Sequence, residues 1–303
     1  MKRKIFVFLA TLVLCSPLAY AVSADAVSQA LQQAADSAKP LKIQHSSSAH
    51  EKGVLMVKLT VDAAVNSDYA DNDPLVKECP VVRISSHYLM GSWACVGLSD
   101  RATIRHSGGG GGDPYYSHPT VIRWIENAII NGQVVSKDNI FSSKDNKIFL
   151  IRIDPANAKL KEAVENKPAV NLFVAKDPQK LKTAFSKAIL NRDECWPFGG
   201  RECADVKVAT VCTETGCFRL GWKFIDGDSG DPVFGLVPER STEEFLLGFN
   251  ATDVDITDRQ SGRTYFFLTP AAIQFLQANI EKHSPADWKQ IKQKTVNEDY
   301  FLK

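Results

Sequence analysis

The segment Asp226-Gly227-Asp228-Ser229-Gly230-Asp231-Pro232 carries the strongest local signal in this chain. Glycine on either side of the serine frees the backbone for a sharp turn with the hydroxyl at its tip. Such a turn also aims the backbone N–H groups of Gly227 and Ser229 at one point, as an oxyanion hole requires. A serine hydroxyl held this way is a candidate nucleophile once a base stands beside it. The same composition suits an ordinary Gly/Asp turn, so the rest of the chain decides between the two.

Around this segment the sequence reads as many short strands. Val54–Val61, Val81–Ile84, Lys147–Ile153, Val170–Val174, Val206–Val211 and Phe245–Phe249 are β-rich runs separated by turn formers. They show no regular strand–helix alternation, which favours a sandwich or barrel over a doubly wound sheet. The five glycines Gly108–Gly112 predict a loop, and they lack the Gly-Lys-Ser/Thr ending of a phosphate loop. Val121, Ile122, Ile125 and Ile129 suggest a short helix over 120–131. Pro270–Glu281 reads as a C-terminal helix. The last twenty residues, with Trp288 and Ile291 among lysines, read either as one or two amphipathic turns or as a solvated extension.

Four stretches in order carry a family resemblance. Arg83-Ile-Ser-Ser-His-Tyr-Leu-Met-Gly-Ser-Trp-Ala-Cys95 resembles the strand and turn that hold the catalytic histidine of trypsin-like (chymotrypsin-fold) serine proteases. Asn146-Lys-Ile-Phe-Leu-Ile-Arg-Ile153 resembles that family's strand beginning with the catalytic aspartate. Asp226–Pro232 resembles the serine loop, and Thr264-Tyr-Phe-Phe-Leu-Thr-Pro270 the last strand before the terminal helix. Together they cover about residues 50–283. The resemblance implies an all-β fold of two six-stranded antiparallel barrels, about 51–160 and 170–268, with a C-terminal helix over 269–283 and an extension over 284–303. It also implies a histidine-loop disulfide between Cys79 and Cys95, and substrate-binding positions at Lys223 and Ala251. Lys223 would favour an acidic or carbonyl group.

The departures from the pattern set the functional expectation. The resemblance puts the general base at Ala94 and the aspartate at Lys147, so only Ser229 of the triad remains. Alanine accepts no proton, and lysine cannot accept a hydrogen bond from an imidazole. Removing triad members costs many powers of ten in rate. Asp231 adds a negative charge beside the serine loop. The expectation is a protease-like scaffold, inactive or nearly so, that binds a protein or peptide. The alternative is an active serine endopeptidase whose base is His87, His106 or His118. Lys147 would serve as a base only if burial lowered its pKa.

The chain ends and composition complete the reading. Lys2, Arg3 and Lys4, the apolar run Ile5–Leu14 and Ala19-Tyr20-Ala21 form a signal-peptide pattern, with cleavage expected after Ala21 and a flexible leader over 22–50. The expected location is secreted or periplasmic, without a membrane anchor after cleavage. Loss of three cations takes the net charge from +1 to −2. That balance gives no basic surface for nucleic acid. Six cysteines then remain, Cys79, Cys95, Cys195, Cys203, Cys212 and Cys217, an even number suited to disulfides. Cys203 with Cys217, or the local pairs Cys195–Cys203 and Cys212–Cys217, are equally simple solutions. No CxxC pair suggests a zinc site, and neither metal nor cofactor is expected.

Overall fold

The computed structural model describes residues 42–45, 53–65, 75–96, 104–106, 115–117, 121–185, 189–190, 208–212, 217–220, 230–236, 244–250 and 263–302. The described chain is mostly β, with a few short helices. Strand β1 (Lys42–His45) precedes β2 (Val54–Val65), β3 (Leu75–Arg83) and β4 (Tyr88–Ser92). A two-stranded hairpin follows, β5 (Ile104–His106) with β6 (Tyr115–Ser117). Then come β7 (Val121–Ile130), β8 (Gln133–Ser136), β9 (Ile140–Ser143) and β10 (Ile148–Arg152). Seven of these form one antiparallel sheet in the order β8-β7-β2-β3-β4-β10-β9. It curls until β7 touches β9, giving a nearly closed barrel.

Strand periodicity explains how the barrel is filled. Successive side chains point to opposite faces. Leu55, Val57, Leu59 and Val61 of β2 therefore share the interior, whereas Met56 and Lys58 are exposed. Cys79 and Val81, Leu89, Ile125, Phe149 and Ile151 add to the same core. Helix α1 (Ala158–Glu165) plugs it with Leu160 and Val164. The alternate residues Tyr88 and Met90 of β4, with Ile148 and Leu150 of β10, belong to a second core. These two strands are buried on both faces, so the barrel has one wet wall and one dry wall.

The dry wall packs on a second sheet. Its strands are β11 (Asn171–Phe173), β12 (Ile189–Leu190), β13 (Val208–Cys212), β14 (Cys217–Leu220), β15 (Pro232–Leu236), β16 (Glu244–Asn250), β17 (Arg263–Phe267) and β18 (Thr295–Val296), together with β1. The order is β12-β1-β15-β16-β17-β14-β13, and β11 joins β16 to β18 through parallel pairing. Leu172, Phe234, Leu246, Phe249 and Leu268 meet the barrel wall in the shared core. Helix α2 (Pro178–Phe185) follows β11, and α3 (Pro270–Ile280) follows β17. Thr269 caps α3 by accepting the Ala272 N–H at 3.2 Å, and Pro270 opens its first turn.

Several expectations change here. The barrel sheet has seven strands rather than six, and the second sheet has nine among the described residues, some of them parallel. Residues 121–130 form strand β7, not a helix. Asn131 and Gly132 take φ of 48° and 76°, a two-residue hairpin turn that pairs Ile130 with Gln133. Both residues in the left-handed region give the turn whose twist matches antiparallel strands, and the β-branched run before it completes a strand. Residues 284–302 are an integral part of the fold rather than a solvated extension. Helix α4 (Pro285–Gln293) buries Trp288 and Ile291, and α5 (Glu298–Leu302) buries Phe301. Part of the leader is a strand as well, since β1 pairs with β15 and β12.

Candidate functional site

Two of the positions singled out in the sequence, Ala94 and Lys147, meet at one end of β4 and β10. Ser92 stands opposite Ile148 in the register, so the residues just beyond, Trp93 and Lys147, are neighbours. The Trp93 N–H donates to the Lys147 carbonyl at 2.9 Å. Ser92 Oγ accepts the Ala94 N–H at 3.1 Å, closing the 3-10 turn Trp93–Val96 onto the strand end. Ala94 is buried within that turn. Its methyl group occupies the place the resemblance gives to a general base and offers nothing that accepts a proton.

Lys147 is held in an uncommon way. It closes the turn from Lys144, donating its N–H to the Lys144 carbonyl, and its φ is +56°. Its ammonium lies over the ring of Phe266 on β17, 3.0 Å from the centroid, an electrostatic contact between cation and ring. Loss of water around the half-buried ammonium lowers its pKa from 10.5 to about 8.

Gly230, covalently bonded to Ser229, reaches the same place from the second sheet. Its φ is +95°, and an added Cβ would lie 2.5 Å from Cys95 Cβ and 2.9 Å from the Cys95 nitrogen. Only glycine fits both the backbone and the space. The Gly230 N–H donates to the Asn250 carbonyl at 2.8 Å, and the Asn250 N–H returns to the Asp231 carbonyl at 2.8 Å. This exchange ties the residues after the serine to the end of β16. Asp231 is buried there. Cys95 is bonded to Cys79 across a Cα separation of 5.8 Å, so the turn bearing Ala94 is stapled to β3.

The remaining candidates are placed as follows. Ser229, Gly227, Lys223, Ala251, Cys195, Cys203, His118 and the glycine run Gly108–Gly112 lie outside the described residues, as does the expected signal peptide. His106 is on β5. Cys212 and Cys217 face one another in the register of β13 and β14. His87 precedes β4 and so stands at the far end of that five-residue strand from Ala94, about 17 Å of β rise away. Its Nδ1 is 2.8 Å from Oδ2 of the buried Asp287. The sequence reading did not single out Asp287, which is 200 residues from His87. It also gave no hint that Phe266 would lie under Lys147.

No protein-family model matches the chain, and no curated protein matches it. Among the described residues no helix is long and apolar enough to cross a membrane.

Proposed function

We propose that the chain is a trypsin-like protein of two facing β-barrels whose cleft has lost peptide hydrolysis and binds a protein or peptide. The carrying observation is the meeting of Ala94, Lys147 and Gly230 at one seam between the two sheets. A hydrolase of this kind needs a base on the nucleophile and an acid behind the base. At the seam the first position is a methyl group and the second is a cation. Ser229 keeps glycine on both sides in the sequence, but neither of these positions supplies a carboxylate or an imidazole to activate it. Fold and activity are separable, so such a scaffold can serve recognition without hydrolysis. Export and a peptide partner belong to the same proposal.

A second reading rests on one observation, the desolvated ammonium of Lys147. A lysine with a pKa of about 8 is partly neutral near physiological pH and able to accept a serine proton. The two readings separate on one experiment, labelling of the purified protein with a fluorophosphonate. The scaffold reading predicts labelling no greater than that of Ser229→Ala across neutral and alkaline pH. Labelling that rises with a midpoint near 8 and disappears in Lys147→Met would replace it with a serine–lysine hydrolase.

A further inference from the structure

A second site lies at the opposite end of the β4 and β10 pair. There a pocket of about 380 Å³ opens between the start of β4, the turn after β10 and the junction of α3 with α4. Its lining includes His87, Tyr88, Arg152, Asp154, His283 and Ser284. The volume is at the small end of what ligand pockets use. Tyr88 and Arg152 are register partners, whereas the Ala94 seam lies beyond Ser92 and Ile148. The pocket is therefore separate from that seam.

Its polar groups are arranged, not scattered. Asp287 is buried behind the pocket and accepts from the Ser86 N–H at 3.1 Å and from Ser284 Oγ. Burial works to raise its pKa, but the hydrogen bonds from Ser284 and His87 outweigh this and hold it below the ordinary value. Asp287 is thus an anion that fixes His87 through Nδ1, leaving Nε2 for another partner. Arg152 is oriented by Nε donation to Asn139 Oδ1 at 2.8 Å. Asp154 turns its carboxylate onto its own loop, where Oδ1 accepts the Ala156 N–H at 2.9 Å. His283 stacks on Phe141 at the rim.

The Tyr88 hydroxyl points to a ligand. Tyr88 is completely buried, yet its hydroxyl has no hydrogen-bond partner among the described residues. Both Arg152 and Asp287 act on that hydroxyl electrostatically, which places it among the pocket's charges. A buried hydroxyl left unmet is costly, so a polar group entering the pocket beside it gains a ready hydrogen bond. Arg152 and Tyr88 present donors suited to an oxyanion. His87 Nε2 is left to exchange a hydrogen bond with a ligand hydroxyl.

We propose that this pocket binds a small hydroxylated anion, its carboxylate or phosphate oxygens taken by Arg152 and Tyr88 and its hydroxyl by His87. The proposal stands independently of the reading of the Ala94 seam. Calorimetric titration and thermal shift at constant ionic strength, with tartrate and glycerol phosphate as probes and sodium chloride and glycerol as controls, test it. At least one probe should bind at millimolar concentration and raise the melting temperature, with the favoured probe identifying carboxylate or phosphate as the anionic group. Arg152→Gln should weaken that binding at least about tenfold. Tyr88→Phe, nearly isosteric, should weaken it several-fold while raising the melting temperature of the unliganded protein. Binding no stronger than the controls, or unchanged in folded Arg152→Gln and Tyr88→Phe, overturns the proposal.

Discussion

Lys147 and Gly230 show how single residues fix the candidate site. Lys147 sits in the left-handed region, which costs a side chain roughly 1–2 kcal/mol, and its ammonium is half-buried on Phe266. Its folded pKa of about 8 lies below the unfolded value near 10.5, so between these values the unfolded chain binds more protons. The stability tied to Lys147 is therefore complete above about 10.5 and lost as pH falls toward 8. Lys147→Met should melt roughly 2 °C higher at pH 7, with the gap from the parent closing as pH rises from 8 to 10.5. A constant gap across that range would deny the desolvation. Gly230→Ala meets both a left-handed backbone and the Cys95 side chain, so it should cost at least ~2 kcal/mol in denaturant unfolding.

At the scale of elements, the strands were legible wherever alternation or an apolar run was long. Residues 54–61, 147–153 and 245–249 lie within or along β2, β10 and β16. Thr269-Pro270 correctly opened α3. Strand β7 is hard to read locally because Ile122, Ile125 and Ile129 also fit a helical spacing, and the signal that decides for a strand is the hairpin pair Asn131-Gly132. The C-terminal segment was ambiguous because its charge is conspicuous and its burial is not. Trp288 and Ile291 are spaced three apart on α4 and reach the shared core. Trp288→Ala should cost about 3 kcal/mol by urea unfolding, whereas a solvated tail would leave the midpoint unchanged. The disulfide pairing of Cys79 with Cys95 agrees with the expectation the resemblance carried. It closes a short loop, so Cys79→Ala with Cys95→Ala should cost about 3 kcal/mol, checked by the same unfolding.

For the whole molecule, the two sheets share one core, and each end of the β4 and β10 pair presents a different set of groups. One end gathers Ala94, Lys147 and Gly230, positions that the sequence had marked hundreds of ångströms of extended chain apart. The other gathers His87, Tyr88, Arg152 and Asp287, which no local pattern connects, because Asp287 comes from a helix at the far end of the chain. The first cluster therefore falls at positions that sequence motifs mark, whereas no motif marks the second. The function proposed above treats the first site as a protease arrangement with Ala94 and Lys147 at the base and acid positions. Its most direct test is the rate of Ser229-dependent fluorophosphonate labelling in the parent and in the triple variant Ala94→His, Lys147→Asp and Asp231→Gly. The parent should label at the rate of the Ser229→Ala background, and the triple variant at least about a hundredfold faster, the scale of general-base assistance. A parent that already labels as fast as the triple variant would contradict it.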